Sequence, residues 1–134
     1  GPPRIDNSYK VTYWIGAAKY EVPWEYRPYN GQERLGGTHF VILADPHSLT
    51  PAYRAEGPTA FISISTLERS TFAPLPASSV CEIDFERHSC EWSDGENVLG
   101  VSNMPASISA LDFEQFTSDV AELFRSFKVA STAR

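Results

Sequence analysis

Residues 112–128 read DFEQFTSDVAELFRSFK, and this stretch decides the fold because it carries the one clear helical pattern in the chain. Its apolar residues recur at steps of three and four, which places them along one face of a helix. Asp112 is the predicted N-cap, with Gln115 three residues later as in a capping box. Arg125 and Lys128 fall in the last turn, where cations complement the helix dipole. The apolar stripe consists of Phe113, Phe116, Val120, Leu123, Phe124 and Phe127.

The residues before this helix carry the two-residue alternation of β-strands. Alternation runs through 9–15 and 19–27, and further apolar segments cover 38–44 and 60–67. The segment 38–44 is almost continuously apolar, which predicts a central strand. Pro23 cannot donate a ladder hydrogen bond, so the second strand is expected at an edge or is expected to break there.

An acidic segment follows and is also predicted to be extended. Cys81, Ile83 and Phe85 alternate with carboxylates, which predicts an apolar face and an acidic face on one strand. Asp94-Gly95 predicts a hairpin turn between a strand ending near Trp92 and a strand over the residues that follow.

These patterns predict an α+β fold, with a mostly antiparallel sheet of about six or seven strands and one amphipathic C-terminal helix packed on it. The 134 residues fit a single domain. Within it, 1–7 is expected to be a flexible start resembling the scar of a cleaved tag, and 8–103 is the strand-rich region. The helix covers 112–128, and 129–134 is expected to be a frayed tail.

The net charge is concentrated between Glu82 and Glu96. Six carboxylates and one base, Arg87, give this window a charge of −5, out of −6 for the whole chain. A local field of this kind steers and discriminates charged partners. The pI near 5.0 and the lack of a basic cluster argue against binding to nucleic-acid phosphates. No apolar run approaches the roughly 18 residues of a membrane span.

The window also holds both cysteines, Cys81 and Cys90. On one continuous strand they would be about 30 Å apart, so a disulfide requires the chain to reverse between them. The apolar positions switch from odd to even numbers in this interval, as a turn or bulge would produce. We therefore predict a disulfide, which places the protein outside the reducing cytosol. Two buried free thiols are the alternative.

Motifs that would identify an enzyme or a metal site are absent from the sequence. There is no Gly-x-Ser-x-Gly nucleophile elbow, and no His-Glu-x-x-His, paired Cys-x-x-Cys or EF-hand loop. His39, His47 and His88 are the candidate bases, and each is more simply read as a strand-end, turn or surface residue. We expect no catalytic residue, no metal site and no cofactor.

The sequence favours a non-enzymatic, extracytoplasmic protein-binding module, such as an inhibitor or an immunity protein that neutralises a secreted toxin or enzyme. We expect a partner with a basic surface or active site, and a periplasmic or secreted location. Two alternatives stay open: a small secreted hydrolase that uses a histidine and a carboxylate, and a lipoprotein-type ligand-binding domain. The predicted partner-binding residues are Glu82, Asp84, Glu86, Glu91, Asp94, Glu96 and the aromatic Trp14.

Overall fold

The computed structural model describes residues 1–3, 9–28, 39–52, 58–67 and 83–130. These residues form an α+β fold, as predicted, but the six strands lie in two antiparallel sheets rather than in one. The predicted strand and loop features at Thr38, 29–37, 53–57 and 68–82 lie outside the described residues. The elements are β1 (Lys10–Ile15), β2 (Ala18–Pro23), a 3₁₀ turn (Trp24–Tyr26), β3 (His39–Ala44), β4 (Ala60–Thr66), β5 (Cys90–Ser93), β6 (Asn97–Ser102) and α1 (Ala110–Phe127).

The first sheet is the β1–β2 hairpin. Gly16 turns the chain with a φ of +60°, a conformation that glycine adopts without steric cost. Tyr13 lies opposite Tyr20 in the register, and both side chains are buried on the inner face. The strand breaks at Pro23, as predicted, and continues directly into the 3₁₀ turn.

The second sheet has the strand order β3-β4-β6-β5. Ile62 and Ile64 of β4 are fully buried, whereas Ser63 and Ser65 on the opposite face are half-buried. Among the described strands, β3 lies at one end of this order and not at its centre, where 38–44 was predicted. Its continuous apolar run reflects burial on both faces, since Leu43 on the outer face is only 4% exposed.

The C-terminal helix begins two residues earlier than predicted. Its N-cap is Ser109, whose Oγ accepts a hydrogen bond from the backbone N–H of Asp112 at 3.1 Å. Asp112 is therefore not the N-cap; its carboxylate lies in the first turn, where negative charge complements the helix dipole. Gln115 donates to Asp119 instead of completing a capping box. All six apolar stripe residues are buried. No helix among the described residues is long and apolar enough to cross a bilayer.

Aromatic side chains join the helix to both sheets. Phe40 of β3 lies between Tyr13 of β1 and Phe124 of α1, at ring-centroid distances of 5.2 and 6.1 Å. Tyr26 packs against Phe127 at 5.6 Å, and its hydroxyl donates to a backbone carbonyl at 2.6 Å. The hydrophobic core is therefore continuous from the hairpin through the helix to the four-stranded sheet.

The end of the helix is attached to the free edge of β2. Lys128 forms an isolated antiparallel bridge with Tyr20, and the N–H of Val129 donates to the Lys19 carbonyl at 2.8 Å. The tail that was expected to fray from Val129 is therefore hydrogen-bonded at its first residue, because the edge of a two-stranded sheet offers unpaired carbonyls. Residues 131–134 lie outside the described residues.

We predict that Ser109→Ala lowers the free energy of unfolding by about 1 kcal/mol, because the helix loses its capping acceptor. The matched control is Ser118→Ala, an exposed serine inside the same helix, where alanine has the higher helix propensity. Urea denaturation of the two variants checks this. Equal stability of both variants would contradict the assignment of Ser109 as the N-cap.

Candidate partner-binding site

The chain reverses between Asp84 and Ser89. The N–H of Asp84 donates to the Ser89 carbonyl at 2.8 Å, and the N–H of Ser89 donates back to the Asp84 carbonyl at 3.2 Å. Asp84 Oδ1 also accepts from the backbone N–H groups of Glu86 and Arg87, at 3.0 and 3.2 Å. His88 completes the turn with a φ of +53°. We call residues 84–89 the first acidic turn.

This turn confirms the predicted reversal and corrects the predicted strand. Phe85 was expected on an inward face with Ile83, but its side chain is 53% exposed. The carboxylate of Asp84 provides a local acceptor for the following N–H groups, which favours a turn over continued strand pairing. The Phe85 side chain is consequently exposed at the turn, and its ring forms a T-shaped pair with Phe113 of α1 at a centroid distance of 6.4 Å.

The predicted Asp94-Gly95 hairpin is confirmed between β5 and β6. Asp94 Oδ1 accepts from the N–H groups of Glu96 and Asn97 at 2.9 and 2.7 Å, and Gly95 has a φ of +98°. The same use of an aspartate side chain therefore shapes both acidic turns. We call residues 94–97 the second acidic turn.

Lys128 neutralises much of the charge of the second acidic turn. Its Nζ lies 3.1 Å from Asp94 Oδ2 and 2.6 Å from Glu96 Oε1. Partial burial works to raise the pKa of Asp94, but the two backbone hydrogen bonds and Lys128 outweigh it and hold that pKa below its ordinary value. Partial burial likewise opposes charge on Lys128, yet bonds from Glu96 and Asp94 raise its pKa overall.

A buried hydrogen-bond chain ties the second acidic turn to the hairpin. The Tyr20 hydroxyl donates to Asn97 Oδ1 at 2.6 Å, and Asn97 Nδ2 donates to the Ile15 carbonyl at 3.4 Å. Burial, with smaller contributions from Asp94 and Glu96, raises the pKa of Tyr20. Local sequence patterns do not predict these hydrogen bonds, since the bonded residues are 77 and 82 positions apart.

The two acidic turns lie at opposite ends of α1. Phe113, near its first residue, contacts the first turn, and Lys128, just after its last residue, contacts the second. The four-residue strand β5, about 13 Å long, also lies between the two turns. The predicted acidic binding surface is therefore divided into two separate places.

The remaining predicted site residues divide in the same way. Trp14 is 36% exposed and pairs with Lys19, whose Nζ lies 5.9 Å from the indole ring centroid. Since Val129 bonds to Lys19, Trp14 belongs to the region of the second acidic turn. Glu91 is half-buried on β5 between the turns. Cys90 is buried at the start of β5, whereas Cys81 and Glu82 lie outside the described residues.

The three histidines have different surroundings. His47 donates its backbone N–H to Asp45 Oδ1 in an exposed turn, and His88 occupies the left-handed position of the first acidic turn. Among the described residues, neither of these two forms an ion pair with a carboxylate. His39 is half-buried at the start of β3, directly opposite Ser65 of β4. No group of three or more His, Cys, Asp or Glu residues in the described part is arranged to hold a metal ion.

Comparisons with known proteins add no family assignment. The chain matches no protein-family model, no curated protein and no solved structure.

We predict that Lys128→Met lowers the free energy of unfolding by about 0.5–1 kcal/mol at neutral pH, because two carboxylates lose their cation while the aliphatic stem is retained. The lowered pKa of Asp94 makes its stabilisation present above the ordinary value of 3.8 and lost as the pH falls through the folded-state value. The raised pKa of Lys128 makes its contribution present below 10.5 and lost as the pH rises through the folded-state value.

The difference between Lys128→Met and the unsubstituted protein should therefore shrink at both pH extremes. Urea denaturation across the pH range measures it. Lys10→Met is the control, because Lys10 is exposed and forms no ion pair among the described residues. A difference that is equally large well below pH 3.8 would contradict the role given to the ion pairs.

The disulfide between Cys81 and Cys90 stays a prediction; the chain reversal that it requires is observed at 84–89. We expect iodoacetamide to leave both cysteines unmodified in the unreduced, denatured protein and to modify both after reduction, as read by intact mass. Reduction should lower the free energy of unfolding by about 2.7 kcal/mol on the chain-entropy estimate for so short a loop. Two modified cysteines without reductant would contradict the prediction.

Proposed function

We propose that this domain is a protein-binding module that acts outside the cytosol, as an inhibitor or immunity protein for a secreted toxin or enzyme with a basic surface. The first acidic turn is the proposed contact. In this proposal the domain binds a partner and does not turn over a substrate.

The observation that carries this proposal is the contrast between the two acidic turns. Lys128 forms ion pairs with both Asp94 and Glu96, and these pairs attach the helix end to the second turn. At the first turn, Glu86 forms no ion pair among the described residues, and Asp84 has only Arg87, at a loose 3.7 Å. Each turn has two carboxylates and one cation, but only the first turn has a carboxylate, the exposed Glu86, that forms no ion pair among the described residues.

Rigidity supports the same assignment. Four hydrogen bonds within the turn, together with the donation from Met104 N–H to the His88 carbonyl at 3.2 Å, fix its shape before any partner arrives. A preorganised contact loses less conformational entropy on binding than a flexible one. The predicted disulfide would add to this constraint and supports an oxidising location.

The test begins with capture of a partner from secreted and periplasmic fractions of the source organism, with stoichiometric recovery and release by salt. Glu86→Lys should then slow association severalfold at low ionic strength and reduce its salt dependence, because charge complementarity acts on the association rate. Glu86 is the position to reverse, since its side chain, unlike that of Asp84, is not used to build the turn. Stopped-flow or surface-based kinetics gives both quantities.

Glu122→Lys is the matched control, because it makes the same charge change at an exposed position on the C-terminal half of α1. An equal loss of association rate in both variants would show that only net charge matters and that the first turn is not the contact. A captured toxin or enzyme should also lose activity in the complex. A partner that keeps full activity when saturated would contradict the inhibitor role.

The hydrolase alternative has one specific observation in its favour, the cross-strand pair of His39 and Ser65. Directly opposed residues have Cβ atoms about 4.5–5.5 Å apart, which brings a hydroxyl near an imidazole. Esterase or amidase turnover that His39→Ala abolishes without a change in melting temperature would favour the hydrolase over the binding module.

A further inference from the structure

The exposed Phe85 indicates a property of the partner in addition to its basic surface. Alternation predicts that the Phe85 side chain points inward, yet it is 53% exposed in the first acidic turn. The neighbouring residues Asp84, Glu86 and Arg87 are all exposed and charged. An aromatic ring with a charged rim is the usual composition of an interface anchor.

The ring is also held in place. It packs in a T-shaped arrangement with Phe113, which is fully buried in the first turn of α1. The backbone on either side is fixed by the Asp84–Ser89 pair and by the acceptor Asp84 Oδ1. Phe85 therefore presents a restrained apolar surface, which a partner can bury without first ordering it.

We infer that Phe85 is the apolar anchor of the first acidic turn, and that the partner is a protein with an apolar pocket bordered by arginine or lysine side chains. This inference rests on the proposed function and adds to it an apolar pocket on the partner. Charge complementarity decides the occupant: a pocket with an acidic border would place like charges against Asp84 and Glu86, which disfavours association.

The experiment uses two synthetic peptides as probes with ¹⁵N-labelled full-length protein. One peptide combines arginines with leucines, and the other has serine at each leucine position, so the charge is the same. The arginine–leucine peptide should bind the first turn about fivefold more tightly than its serine form, as expected for burial of the exposed half of a phenylalanine. Shifts of the backbone amides of 84–89 report the contact.

Four substitutions separate the contribution of the apolar anchor from that of charge. Phe85→Ser should abolish the difference between the two peptides, whereas Glu86→Lys should weaken both. Leu111→Ser is the control, because Leu111 is 77% exposed but lies about 200° around the helix from Phe113. Leu67→Ser, at a second exposed leucine, should likewise leave the preference unchanged. Melting temperatures confirm that each variant is folded.

Each outcome has a distinct meaning. Equal binding of both peptides at the first turn, weakened by Glu86→Lys, would overturn the anchor and leave the proposed function standing. A leucine preference that survives Phe85→Ser, or that shifts amides elsewhere, would also overturn the anchor. If neither peptide shifts the amides of 84–89 at the highest concentration reached, both the anchor and the acidic contact are overturned.

Discussion

Burial of the apolar face of α1 is the constraint on which the rest of the structure depends. The two-stranded sheet is too small to be stable alone, and the four-stranded sheet needs a cover for its inner face. Phe124 and Phe127 reach Phe40 and Tyr26, which lie in the separate β-rich parts of the chain. Burial of a phenylalanine contributes about 1.5–3 kcal/mol, so these contacts outweigh the polar attachments around them. The helix completes a core that the two sheets already share through the contact between Tyr13 and Phe40.

Polar interactions then determine the conformation of the turns between the packed elements. Asp45, Asp84 and Asp94 each accept two backbone N–H bonds within the turn that they begin. At Asp45 the bond from Ser48 is the main cause of a lowered pKa. A carboxylate that satisfies local donors in this way specifies where a strand must end. At Asp94 the second oxygen is left for Lys128, and the turn thereby becomes part of the attachment between helix and sheet.

The sequence was sufficient for the features that depend on local pattern. Alternation predicted β4, the step of three and four predicted α1, and Pro23 and Asp94-Gly95 predicted a break and a hairpin that are both observed. The sequence was not sufficient where two residues compete for the same structural role. Asp112 was predicted as the N-cap. Ser109 is also a strong capping residue, and the helix begins directly after it.

The acidic composition of the candidate site was predicted, but the positions of its side chains were not. Composition located the acidic window, yet it could not show that Lys128, 32 residues beyond Glu96, neutralises one end of it. The direction of the Phe85 side chain was predicted wrongly for a related reason. Alternation predicts that it points inward, but the Asp84 carboxylate accepts a backbone hydrogen bond and stabilises a turn instead of a strand. A signal was present, since an aspartate followed by a switch in apolar parity is typical of a side-chain-supported turn.

Asp84 unites two properties that are usually separate on a protein surface. Its carboxylate supplies charge to the first acidic turn and also supplies the acceptor that gives the turn its shape. Asparagine has a carbonyl oxygen at the same position, so a single Asp-to-Asn exchange changes the electrostatics while the shape persists. Exchange to a basic residue removes both together. Divergence of this surface toward new partners is therefore expected to proceed through neutral intermediates at this position rather than through direct reversal of charge.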